Sequence, residues 1–303
     1  MKRLIYTCGV LIAVGIGLVI SGFLLSGKKG FALDFRNRKL IFSDEGTVKD
    51  DITLDAFDEA EINIPFAGLE IIEGDRYGLE YSTDKNNAVT AEVKDGKLTV
   101  KCDNGANKAI KINFGYSGGE RYFKLYVPEG TSLKKADVTL DSGSFSMEDI
   151  DVADLKIDDD FGSVTIKNMK SDQVNIKCDS GSVKMNDIST GSLSITDEFG
   201  SVNLESVKAD KSNFDLESGS LNLNDFDSSD IEAESEFGSV NIKLVGTSED
   251  YSYDLKTEFG SITLDGDKVG KSEDVSEKTY VDGKGSKKIK IRAESGSIKI
   301  DFK

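Results

Sequence analysis

The triplet Xaa-Gly-Ser recurs with its glycine at positions 143, 162, 181, 200, 219 and 238, an unbroken spacing of 19 residues. A fixed period of that length marks a chain wound into stacked coils, none of which can bury its apolar face alone. Two further copies, at Gly260 and Gly296, follow at offsets of 22 and 36 residues, so the array continues through one short and one longer interruption. One elongated repeat domain is the expectation, because such an array buries its core coil by coil.

Aligning the coils on glycine predicts which side chains face inward. Two residues after it stand Phe145, Val164, Val183, Val202, Leu221, Val240, Ile262 and Ile298. Four after it stand Met147, Ile166, Met185, Leu204, Leu223, Ile242, Leu264 and Ile300, with small or polar residues such as Thr165, Asn203 and Asn222 between the two columns. That alternation is a half-buried strand. A second inward column lies five residues before glycine: Val138, Ile157, Ile176, Ile195, Phe214, Ala233, Leu255 and Ile291. Seven residues after glycine, Ile150, Met169, Ile188, Val207, Phe226 and Val245 predict an apolar corner. Each coil therefore reads as strand, corner, strand and tight glycine turn.

The residue just before glycine alternates as Ser142, Phe161, Ser180, Phe199, Ser218 and Phe237, followed by Phe259 and Ser295. Two positions earlier, Leu140, Cys178, Leu216 and Ala293 accompany the serines, and Asp159, Asp197, Ser235 and Thr257 accompany the phenylalanines. The expectation is volume compensation inside a close-packed core, which makes a pair of coils, 38 residues, the repeating unit. The competing reading is an exposed phenylalanine ladder on which a ligand stacks.

An acid stands two residues before every repeat glycine: Asp141, Asp160, Asp179, Glu198, Glu217, Glu236, Glu258 and Glu294. Stacking brings such carboxylates to about 5 Å, where unit charges repel by roughly 3 kcal/mol at an effective dielectric near 20. Two readings follow. The carboxylates accept backbone N–H bonds of the turn, or the column holds divalent cations such as calcium; the first is the simpler. Lys101-Cys102-Asp103-Asn104-Gly105 echoes Lys177-Cys178-Asp179-Ser180-Gly181. Sharing one column four coils apart, Cys102 and Cys178 would lie about 19 Å from each other, beyond the reach of a disulfide.

Leu4 to Leu25 are uncharged and mostly apolar, flanked by Lys2 and Arg3 and by Lys28 and Lys29. That length spans a bilayer as a helix and exceeds the apolar core of a cleaved signal peptide. Gly9, Ala13, Gly17 and Ser21 place small side chains along one stripe, where another helix packs closely. Loop charges do not fix the orientation, since Lys2 and Arg3 stand against Lys28, Lys29, Arg36, Arg38 and Lys39.

The formal charge is −17, and residues 1–29 hold four basic and no acidic side chains, which leaves −21 on the remainder. The charge disfavours nucleic acid and anionic lipid surfaces as partners of the repeat, because both need a basic footprint. Histidine is absent, which removes every histidine-dependent triad, proton shuttle and metal site. The array has no arginine between Arg121 and Arg292 to clamp an acidic sugar. No constellation of carboxylates departs from the repeat, so the expectation is a protein that is not an enzyme and carries no cofactor.

The expected organisation is a transmembrane anchor over 1–29, a juxtamembrane linker over 30–51, and an irregular β cap over 52–130. Regular solenoid repeats over 131–265 follow, then a polar surface loop over 266–287 and terminal solenoid strands over 288–303. The chain resembles the bacterial putative-adhesin domain of β-strand repeats, which includes LiaG-like membrane-anchored envelope proteins common in Gram-positive bacteria. The resemblance rests on the Ser-Gly-Ser and Phe-Gly-Ser repeats, on Ile72-Glu73-Gly74-Asp75 followed by Tyr81, on Asp95-Gly96-Lys97-Leu98, and on Val127-Pro128-Glu129-Gly130 leading into the array. It covers about residues 52 to 303 and implies an all-β, right-handed parallel β-solenoid of about 19 residues per coil, outside the cell on a single membrane helix. It brings no catalytic residues. The functional expectation is a non-catalytic adhesin or interaction scaffold that meets an envelope protein or a cell-wall polymer. The alternatives are a carbohydrate-binding or carbohydrate-processing β-helix and a cytoplasmic scaffold on the same anchor.

Overall fold

The structure is a computed structural model, and it describes residues 31–34, 39–42, 47–85, 87–104, 111–114, 120–272 and 277–303. The chain divides into two compact units. In the unit formed by residues 1–48, 82–87 and 104–121, strand Phe31–Asp34 pairs antiparallel with Lys39–Phe42 on one side and Lys111–Phe114 on the other. Part of the expected linker is therefore strand. The apolar span Leu4–Leu25, with Gly9, Ala13, Gly17 and Ser21, lies outside the described residues, and no described helix is long and apolar enough to cross a membrane.

The other unit, residues 49–81, 88–103 and 122–303, is a parallel β-solenoid. Strand Ser132–Leu140 pairs in parallel with the run beginning at Asp151, setting Val138 against Ile157 and Leu140 against Asp159. Phe145–Glu148 does the same one turn later, with Phe145 against Val164. Strand pairing with the neighbouring coils continues without a break from Asp151 to Phe237. All eight residues of the column five before glycine are buried, as are all eight of the column two after it. Of the column four after it, only Leu264 is incompletely covered.

The corners are made by a column that the hydrophobic pattern does not reveal. Six residues after glycine, Asp149, Asn168, Asp187, Ser206 and Asp225 have φ of 63°, 47°, 55°, 55° and 50°. Asp and Asn tolerate this left-handed conformation because their short polar side chains bond locally. The apolar corner behind it is buried from Ile150 to Phe226, but Val245 is exposed. The register slips between Leu223 and Phe226, so that Phe226 pairs with Leu244, which takes the inward place.

The N-terminal region is more than an irregular cap. Glu59–Ile64 pairs in parallel with Ser132–Leu140 on one side and Lys97–Asn104 on the other, and Gly68–Gly74 pairs with Phe145–Glu148. These are coils in full register with the array. Successive partners along one column are Cys102, Ile64, Leu140, Asp159 and Cys178, given by registers that place Asn63 opposite Lys101 and Leu140 opposite both Ile64 and Asp159. Cys102 and Cys178 are buried four coils apart and no disulfide joins them.

At the other end the order in space departs from the order in sequence. Strand Lys287–Ser295 inserts between the coil ending at Phe237 and the later coil Tyr251–Phe259, pairing in parallel with both. The terminal strands are thus not the last of the stack. Residues 266–287 are not a plain loop either. Within them Lys278–Asp282 runs antiparallel along Tyr251–Phe259, with Leu255 opposite Tyr280, and Asp267–Val269 runs antiparallel to Ile262–Leu264. These pairings occupy the open side of the final coil, whose exposed amides would otherwise template aggregation.

Candidate functional site

The glycine turns form one edge of the solenoid, and they can do so only because the backbones touch. A Cβ added to Gly181 would sit 1.4 Å from the carbonyl oxygen of Gly162 in the coil below. The turn amides are committed to neighbouring coils: Gly143 N–H donates to Phe161 O, Gly238 N–H to Ser295 O and Gly296 N–H to Phe259 O. Those amides are therefore not taken by the local carboxylates. Asp179 instead accepts from Lys177 Nζ at 2.7 Å. Burial, followed by the neighbouring Asp160 carboxylate, raises the pKa of Asp141.

The eight predicted acids, Asp141, Asp160, Asp179, Glu198, Glu217, Glu236, Glu258 and Glu294, line this edge as exposed or half-buried side chains. Among the described residues, no group of three or more Asp, Glu or Cys side chains converges tightly enough to hold a metal ion.

The phenylalanines correct the expectation of a buried, volume-compensated pair. Phe161, Phe199, Phe237 and Phe259 are 63%, 58%, 58% and 63% exposed. Strand parity fails here because the chain has already begun its turn, so the side chain that parity would send inward points to solvent. Insertion of Lys287–Ser295 places Ser295 between Phe237 and Phe259, which makes the alternation of serine and phenylalanine unbroken in space. The row also extends past the first repeat. Leu140 pairs with Ile64 and Phe145 with Leu69, which sets Ser142 against Phe66, itself 53% exposed. Five phenylalanines, Phe66, Phe161, Phe199, Phe237 and Phe259, thus stand on alternate coils, about 9.6 Å apart at ordinary strand spacing. Phe66 was missed because Ala67 replaces the marker glycine; the signal for it is the spatial register.

Beneath this row the column three before glycine is buried and alternates between apolar and polar. Asp159 and Asp197 are 0% and 1% exposed, and their carboxylates lack a hydrogen-bond partner. Burial pushes both up to about 6; for Asp159 the adjacent Asp160 carboxylate adds to the shift, and the Phe161 amide, short of a well-formed bond, offsets part of it. Thr257, in the equivalent place, donates to Gly296 O at 2.7 Å. Cys178 lies between the two aspartates, and burial, followed by the neighbouring Asp197 and Asp159 carboxylates, pushes its thiol up to about 12. A thiol so far from ionising is a core residue and not a nucleophile.

A second surface is a shallow cleft of about 430 Å³ on the sheet face, lined by Thr165, Lys184, Asn203 and Asn222 among others. Asn222 Nδ2 donates to Asn203 Oδ1 and Asn241 Nδ2 to Asn222 Oδ1, each at 3.0 Å, an amide ladder running coil to coil.

A regular parallel solenoid of 19-residue coils places the chain among the β-solenoid repeat proteins. It belongs to the Toastrack DUF4097 family, whose description matches residues 57–301. Among solved structures it is similar to a putative adhesin from Bacteroides fragilis, at 14% identity and a TM-score of 0.52 over 85% of this chain and 98% of that one. A putative adhesin and a putative lipid binding protein, both from Parabacteroides distasonis, match at TM-scores of 0.47 and 0.46, with 11% and 17% identity. They cover 84% and 86% of this chain, respectively, and 98% of their own. No curated protein matches the chain.

Proposed function

We propose that this chain is a non-catalytic, single-pass membrane protein of the cell envelope, which holds a right-handed solenoid outside the cell and uses its phenylalanine edge as a binding face. The observation that carries this reading is the row of five large aromatic side chains left in water. A regular row of exposed aromatic side chains costs solubility and is characteristic of an interaction surface. The apolar span Leu4–Leu25 supports the anchor, and the Bacteroides fragilis neighbour's description as a putative adhesin agrees with a role at the cell surface. The amide-lined cleft favours carbohydrate binding as a second reading.

Protease treatment of intact cells, with opened cells as control, tests location; protection of the solenoid in intact cells would favour the cytoplasmic scaffold. Retention of the full chain on isolated cell envelopes, with and without Phe→Ser at all five row positions, tests the face. Equal retention would overturn the assignment of the phenylalanine edge.

A further inference from the structure

The phenylalanine row has a spacing, a flank and a set of gaps, and together these select an occupant. Phenylalanines on alternate coils repeat at about 9.6 Å, and the whole row spans about 38 Å. A polyproline II helix completes a turn in three residues at about 3.1 Å each, a repeat of about 9.3 Å, so its mismatch over the row is only about 1 Å. An α-helix returns to the same face every seven residues, about 10.5 Å, and would drift by nearly 4 Å over the same length. Same-face side chains of an extended strand repeat at about 6.6 Å and meet only every second phenylalanine.

The chemistry agrees with that geometry. Polyproline II has no internal hydrogen bonds, so its carbonyls remain open to donors. The half-buried hydroxyl residues Ser142, Ser180, Ser218 and Ser295 lie between successive phenylalanines, where such carbonyls would pass. Prolines pack on aromatic faces in known recognition of this helix. The flanking column, including Glu198, Glu217 and Glu236, presents a carboxylate on every coil of the row but the one that carries Phe66, where Pro65 takes the place, and it favours lysine or arginine and repels an anionic polymer.

We infer that the phenylalanine edge binds a proline-rich, basic polypeptide segment in the polyproline II conformation, one turn of the ligand for every two coils. This rests on the edge being the binding face, as proposed above.

The test uses the full chain in lipid nanodiscs, titrated with a fluorescent peptide of five Pro-Pro-Lys repeats. A scrambled peptide of the same composition, five Pro-Pro-Glu repeats and a chitin-type hexasaccharide serve as competitors. Saturable binding is expected, weakened about tenfold or more by Phe161→Ser/Phe199→Ser/Phe237→Ser and by scrambling. The acidic peptide should not compete, and Glu198→Gln/Glu217→Gln/Glu236→Gln should weaken binding at low salt. Equal affinity of the scrambled peptide would reduce the effect to charge and overturn the inference. Competition by the hexasaccharide that depends on the phenylalanines would also overturn it, and would give the edge to glycans while the binding-face reading stands. No phenylalanine-dependent binding of the repeat peptide overturns it as well. Envelope retention of the five-serine variant then reports separately whether the face itself is wrong.

Discussion

Phe237 pairs with Ser295 and not with Phe259, the next phenylalanine along the chain. Ser295 in turn pairs with Phe259, so a strand from late in the sequence separates two large side chains that the chain order alone would bring together. The consequence is an aromatic row with a serine at every second step, held outside the core.

Because the row is outside the core, it should be separable from stability. Phe161→Ser, Phe199→Ser and Phe237→Ser should each change unfolding free energy by no more than about 0.5 kcal/mol. Phe145 and Phe214, both fully buried, should cost about 3–5 kcal/mol on truncation to alanine. Urea denaturation of the five variants checks this, and a large loss for the serine variants would mean that the row is packed.

The glycine edge should be intolerant of even one carbon. Gly181→Ala places a Cβ on the backbone oxygen of Gly162, where no side chain can move aside. A loss of about 3 kcal/mol or more is expected by chemical denaturation. A neutral result would contradict the coil spacing.

The buried aspartates give a pH dependence with a definite sign. Folded values near 6 for Asp159 and Asp197 lie above the ordinary 3.8, so each carboxylate's unfavourable contribution grows as pH rises through about 6. Stability is gained on acidification over that window and levels off below pH 4. Asp197→Leu, which copies Leu140 and Leu216 of the same column, should raise the melting temperature at pH 7.5. The pH-dependent part of this gain should be on the order of 3 kcal/mol, roughly half of it remaining at pH 5. A pH-independent difference between variant and parent would refute the burial of an ionising group there.

Ser206 is the exception in the left-handed corner column, where its neighbours are Asn or Asp. Ser206→Asn should stabilise by about 0.5 kcal/mol. A lower denaturation midpoint would show that the hydroxyl has a local role that the corner geometry does not require.

How far the sequence could be read follows from where a simple periodicity holds. Alternation with period two assigned Val164, Ile166, Ile157 and their counterparts correctly, because those residues sit in the middle of strands. It failed at Phe161 and Phe199, one residue from a turn, where the backbone no longer alternates its faces. Val245 failed for a related reason: a single slip at Phe226 handed its place to Leu244. The polar corner was visible as Asp149, Asn168, Asp187 and Asp225 at the same spacing of 19, but Ser206 breaks the column and no apolar residue advertises it. The place of Lys287–Ser295 had one signal, the missing serine between Phe237 and Phe259. The carboxylate column was plain in sequence, whereas the commitment of the turn amides to other coils needed coordinates.

The alternation of serine and phenylalanine also counts coils by parity. Duplicating a single coil within Gly143–Gly238 would set phenylalanine on phenylalanine or serine on serine at the join, while duplicating two would leave the row in phase. An insertion or deletion that keeps the row in phase must therefore be an even number of coils, in steps of 38 residues, and one odd coil gained or lost interrupts the edge.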